Sequence, residues 1–157
     1  MISPNYSVTR LTAKLLFCLF PLALAAQNDV LKIAPTPTVS GKRGEAVQIK
    51  TSLQLQGGYH LNSNKPEDPY LIPLKLTWDA ATVETVSVSF PEPKKEKYAF
   101  SEKPLSVFTG DFVITSTVKP KTAGFTVLTG KLRYQACNHN ACLPPKTIDV
   151  KVPADFR

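Results

Sequence analysis

Residues Ala46–Leu55 read AVQIKTSLQL. Val47, Ile49, Leu53 and Leu55 fall on one side of an extended chain, with Gln48, Lys50, Ser52 and Gln54 on the other. Period-two alternation of this kind marks a strand with one face on a core and one in water. Working outward, the same alternation returns at Leu74, Leu76 and Trp78, then at Val86, Val88 and Phe90. It returns again at Phe112 and Ile114, and at Ile148, Val150 and Val152. Phe125 to Ala136 is longer, apolar and β-branched, as a central strand would be. Residues 30–33 add a short edge strand.

Turn signals separate these runs: Gly57-Gly58, Pro66 to Pro69, Pro91 to Pro93, Pro104, Lys119-Pro120 and Pro144-Pro145. No stretch carries a helical stripe. About seven strands parted by Pro/Gly turns predict an all-β fold, an immunoglobulin-like antiparallel β-sandwich. A small β-barrel is the competing architecture. The disulfide that usually bridges the two sheets of immunoglobulin domains is not available, because the cysteines outside the leader sit together in one segment.

The first 26 residues read as a secretory leader. Arg10 and Lys14 supply positive charge, and Leu15–Ala26 (LLFCLFPLALAA) is apolar and ends in small residues. That run is about a dozen residues, against roughly 20 needed to span a bilayer. Cleavage after Ala25 or Ala26 is expected, leaving residues 27–157 as one exported domain, with an uncleaved anchor as the alternative. Phe17 stands before Cys18 where a lipoprotein would have a small residue. Export places the domain where disulfides persist, and the periplasm of a bacterium is the expected location. The leader holds two of the 19 basic residues and none of the 12 acidic ones, so the exported part is only mildly basic. Its lysines are dispersed apart from Lys94, Lys95 and Lys97, a run that reads as a solvated loop. No nucleic acid partner is implied, and a monomer is expected.

Removal of Cys18 with the leader leaves one pair, Cys137 and Cys142, in YQACNHNACLPP (Tyr134–Pro145). Three chemistries fit it. A structural staple closing so short a loop would contribute roughly 2 kcal/mol. A metal site could draw on Cys137, His139, Cys142 and His60, although the spacing matches no common zinc pattern. Thiol–disulfide exchange needs a reachable sulfur and a second thiol beside it, which Asn138-His139-Asn140-Ala141 at a hairpin tip would supply. His139 could favour a neighbouring thiolate when protonated, or simply be a solvated loop histidine. The chemistry favours exchange.

The segment YQACNHNACLPP, followed by KTIDVKV (Lys146–Val152), resembles the cysteine segment of the N-terminal periplasmic domain of the DsbD family. GYHLNSNKPEDPYLIPLKLTW (Gly58–Trp78) resembles the G-Y-x-L segment of the same domain. The likeness spans about Val30 to Val152. It implies an immunoglobulin-like sandwich with the pair on a hairpin at one end. It implies a protein-disulfide reductase activity, with electrons taken from a thioredoxin-like domain and passed to disulfide isomerases or cytochrome-maturation thioredoxins. No bound cofactor and no metal is implied, since the cysteines carry the electrons. The resemblance makes Cys142 the nucleophile of the reduced form. It also implies an aromatic cap loop over the pair, which falls at Lys97–Glu102, with Phe100 the first choice for the cap and Tyr98 the second. Tyr59 and His60 match the family's aromatic strand facing the cysteines.

Two departures stand out. Four residues separate the cysteines, one fewer than in the best-known members. The sequence through Arg157 carries neither a polytopic membrane segment nor a thioredoxin-like domain. The expectation is therefore a shuttle served by a separate membrane electron conduit. A non-catalytic binding or scaffold module with a structural disulfide is the alternative.

Overall fold

The alternating run that begins at Val47 forms the longest strand of one sheet, and its apolar side meets a second sheet across a common core. The computed structural model describes residues 29–157. The leader expected over residues 1–26, with Cys18, lies outside the described residues. Every regular element described is a strand: β1 (Leu31–Ile33), β2 (Val39–Gly41), β3 (Val47–Leu55), β4 (His60–Asn62), β5 (Lys75–Trp78), β6 (Val83–Ser89), β7 (Lys94–Glu96), β8 (Leu105–Thr109), β9 (Phe112–Pro120), β10 (Gly124–Tyr134), β11 (Ala136–Cys137) and β12 (Lys146–Phe156).

Two four-stranded sheets make the sandwich, ordered β1-β3-β9-β6 and β2-β12-β10-β5. Ile49 and Leu53 of β3, Ile114 and Val118 of β9, and Val83 of β6 enter the core from the first sheet. Leu76 and Trp78 of β5, Leu128 and Leu132 of β10, and Val150, Val152 and Ala154 of β12 enter it from the second. Each fully buried aliphatic side chain among them contributes on the order of 2 kcal/mol of transfer free energy. The fold is an immunoglobulin-like β-sandwich. β10 is central as expected, paired with β12 along its whole length and with β5 on its other side. Gly124 opens it with a φ of 100°, a backbone that closes the β9–β10 turn at little cost only for glycine.

A third sheet, β11-β4-β8-β7, positions the site. One of its faces, with Leu61, Phe108 and Ala136, packs on the main core. The other carries His60, Asn62, Val107 and Cys137, since His60 pairs with Cys137 and Asn62 with Val107 across the strands. That outer face is also covered, by Tyr98 and Leu71 around Leu105 and Val107.

Several expectations need correction. The sandwich is antiparallel except where β2 runs parallel to β12. Val86 does not point inward: it is 52% exposed, at a register shift between Thr85 and Ser87. This bulge inserts one residue, so that Val83 before it and Val88 after it both reach the core despite their odd spacing. The 125–136 run is two strands, because Gln135 breaks it between β10 and β11. Lys94 and Lys95 lie on the edge strand β7 rather than in a loop, with Lys95 paired to Glu67. Lysines on an edge discourage pairing with another chain.

Candidate functional site

The cysteine segment is the tip of the long β10–β12 hairpin. β10 feeds into β11, Cys137 ends that strand, and the chain turns through Asn138–Ala141 and returns at Cys142. Cys137 and Cys142 form a disulfide, with Cα atoms 3.9 Å apart. Asn138 N–H donates to the Ala141 carbonyl at 2.9 Å, and Leu143 N–H donates to the Ala136 carbonyl at 2.8 Å. The Asn138 side-chain oxygen accepts from the Asn140 and Ala141 amides, both at 2.9 Å. Asparagine suits this place because its short carboxamide satisfies the amides a tight turn leaves free. His139 and Asn140 at the tip are exposed.

The two cysteines are not equivalent. Cys137 is fully buried on the strand, whereas Cys142 is partly exposed on the return.

Gln135 holds the segment in place. Its side-chain oxygen accepts from Asn62 Nδ2 at 3.1 Å and from Ile72 N–H at 3.3 Å. Its amide nitrogen donates to the Leu143 carbonyl at 3.3 Å. One side chain thus ties together β4, the 64–73 loop and the chain leaving Cys142.

The segment from Lys97 to Pro104 joins β7 to β8 and lies against the outer face that carries Cys137. Tyr98 is 8% exposed and stacks on His60, ring centroids 3.9 Å apart. Phe100 is 40% exposed and stacks on Tyr98 at 5.7 Å and, further out, on His60 at 6.3 Å. The Tyr98 hydroxyl donates to Glu96 Oε2 at 2.6 Å. Lys97 Nζ donates to the Ser101 carbonyl at 2.7 Å and also to the Glu102 carbonyl, which pins the loop across its base. A shallow cleft runs between this loop and His139 at the hairpin tip.

His60 is buried, and its Nε2 has no hydrogen-bond partner. Burial holds its imidazole below the ordinary value of 6.5, while the Glu96 carboxylate pulls the other way. Burial, aided by the hydrogen bond to Glu96, raises the Tyr98 phenol above its usual range.

Of the residues singled out from the sequence, the structure gathers Cys137, Cys142, His60, Tyr98 and Phe100 at one end, with His139 across the cleft. Phe100, the first choice for the cap, is the outer ring, and Tyr98 is the inner one. Tyr59 is partly buried and packs with the main core instead. His60 lies under Tyr98 and His139 at the exposed turn, and among the described residues no three His, Cys, Asp or Glu side chains are grouped to hold a metal. Sequence reasoning missed Glu96 and the role of Gln135. Gln135 stood inside the Tyr-Gln-Ala-Cys lead-in, whereas nothing local marks Glu96.

Sandwich, end-on hairpin and aromatic loop define a class: an immunoglobulin-like domain presenting one local disulfide. Residues 27–154 match the family "Thiol:disulfide interchange protein DsbD, N-terminal", and the chain belongs to that family. Among solved structures, it is similar to the N-terminal periplasmic domain of ScsB from Proteus mirabilis, with a TM-score of 0.59 at 18% identity. That match covers 83% of this chain and 48% of the other, so this chain spans about half the length of its relative. It is also similar to the Neisseria meningitidis DsbD N-terminal domain in the reduced form. There the TM-score is 0.47 at 16% identity, over 76% of this chain and 85% of that one. No curated protein matches the chain significantly.

Proposed function

We propose that this chain is a periplasmic thiol–disulfide exchange domain that passes electron pairs between thioredoxin-like partners through Cys137 and Cys142. The observation that carries the reading is the asymmetry of the pair: Cys142 is partly exposed while Cys137 is buried behind it. Exchange requires one sulfur that an incoming thiolate can reach and another that stays to resolve. Membership of the family supports the same chemistry.

The steps balance without a cofactor. A partner thiolate attacks Cys142 Sγ, the Cys137–Cys142 bond breaks, and the electron pair leaves on Cys137, which takes up a proton. The partner's second thiolate then attacks its own sulfur in the mixed disulfide and releases Cys142. The domain has gained two electrons and the partner has become a disulfide. Delivery reverses the order: Cys142 attacks the acceptor's disulfide, and Cys137 resolves. The donor is a thioredoxin-like protein or a membrane electron conduit, and the acceptors are thioredoxin-like proteins or disulfide isomerases.

The complete burial of Cys137 favours a second reading, a scaffold module whose disulfide only closes a hairpin. Single replacements separate the two. Purified Cys137→Ser and Cys142→Ser are each mixed with an oxidised thioredoxin-fold protein lacking its resolving cysteine and carrying an activated disulfide. The expected result is a mixed disulfide with Cys137→Ser and at least tenfold slower capture with Cys142→Ser. No capture by either variant would overturn the exchange reading and favour the scaffold.

A further inference from the structure

We infer that His60 is the internal base of this domain, taking the proton from the Cys137 thiol as that thiol resolves a mixed disulfide on Cys142. The inference rests on the exchange reading above and adds the group that makes the buried cysteine reactive.

The problem His60 answers is set by burial. Cys137 is fully buried, so in the reduced form its thiol must lose a proton where water does not reach. A thiol is a poor nucleophile until it becomes a thiolate, and an apolar site disfavours the thiolate. His60 is the directly opposed residue on the neighbouring strand. Opposed residues of an antiparallel pair project from the same face, with Cβ atoms roughly 5 Å apart. His60 is itself 2% exposed, and its Nε2 is buried with no partner. With the ring hydrogen on Nδ1, the unpartnered Nε2 carries a free lone pair, and His60 shares its face of the sheet with Cys137.

The surroundings suit a base that must charge only briefly. The titratable groups facing His60 are Cys137 from β11, Tyr98 from the cap loop and Glu96 from β7, with His139 across the cleft. Burial keeps the imidazole neutral at rest, and the Glu96 carboxylate favours the imidazolium once it forms. Tyr98, stacked flat on the ring at an interplanar angle of 19°, closes the other side and holds its orientation.

The step is balanced. The Cys137 S–H proton passes to His60 Nε2, Cys137 Sγ bonds to Cys142 Sγ, and the bond from Cys142 to the partner sulfur breaks. The electron pair leaves on the partner thiolate, which takes the proton from His60 or from solvent as it departs.

A chromogenic aromatic disulfide that liberates thionitrobenzoate tests this on the reduced protein, in a Cys18→Ala background so that the pair supplies the only thiols. The first release reports formation of the mixed disulfide, and the second reports resolution by the remaining cysteine. In the parent protein the second release should change little with pH between about 7 and 8, because burial holds the base below its ordinary 6.5. In His60→Phe, which keeps a ring for Tyr98, it should slow by about a hundredfold at pH 7 and rise tenfold per pH unit. The first release should be unchanged. Equal second-phase rates and profiles in parent and variant would overturn the proposal. So would a parent rate that climbs tenfold per pH unit, a result that holds whether or not His60→Phe folds. A parent that releases only one equivalent would instead sink the exchange reading itself.

Discussion

At the scale of single residues, the buried His60 and the partly buried Gln135 shape the site, and they make separate predictions. Burial lowers the His60 pKa, so between the folded value and 6.5 the unfolded chain binds a proton that the folded chain refuses. Stability therefore rises with pH through that window, is complete above 6.5, and is lost as pH falls through the folded value. Thermal unfolding followed from pH 7 down to pH 5 should show a falling midpoint, and His60→Phe should flatten part of that slope. Gln135→Ala removes the acceptor of the Ile72 amide and one of the two acceptors of Asn62 Nδ2, which keeps the Ile72 carbonyl. Stranding the Ile72 amide costs about 1–3 kcal/mol, so unfolding stability should fall by about that amount, read as a lower denaturant midpoint. The chemistry-bearing residues were legible where the signal was local: the cysteines and the turn-forming Asn138, whereas Gln135 was visible only as part of the lead-in to Cys137 and its anchoring role was not. Glu96 was not, because only the β7–β8 pairing sets it under the Tyr98 hydroxyl.

Among elements, legibility followed solvent. β3, β5, β9, β10 and β12 each have one wet face, and all show the period-two pattern that the sequence displays. β4 and β8 do not: the main core covers one face and the cap side the other, so HLN and LSVFT are buried almost throughout. With no exposed side there is no alternation to read. β6 hid its core residues behind a bulge. On the proposed exchange reading, access to the pair depends on the loop from Lys97 to Pro104. Tyr98 is the inner ring on His60 and Phe100 the outer. Tyr98→Ala should therefore speed reduction of the disulfide by a small thiol more than Phe100→Ala does, read as thiol release over time. Equal acceleration would assign the shielding to Phe100 as well. Lys97→Met frees the Ser101 and Glu102 carbonyls at the loop base. Because Lys97 is exposed, this should raise the reduction rate while changing stability by less than about 1 kcal/mol.

For the molecule as a whole, the proposed reading divides labour between a core that folds and a hairpin end that carries the disulfide. The sandwich core draws on β3, β9, β10 and β12 and does not depend on the disulfide. The bond spans a sequence separation of only 5, so it restricts the unfolded chain little. Reduction should cost at most about 2 kcal/mol and leave the β-sheet circular dichroism in place. Leu132→Ala in the fully buried core should cost more, about 2–5 kcal/mol. A domain built this way can cycle between dithiol and disulfide without unfolding, as a carrier must. The central claim is that the bond cycles at all. Its most direct test is equilibration in dithiothreitol redox buffers of graded potential, with free thiols counted after alkylation. The account predicts a two-electron transition with a midpoint above about −300 mV; a Cys137–Cys142 bond still intact well below that potential would behave as a structural staple and contradict it.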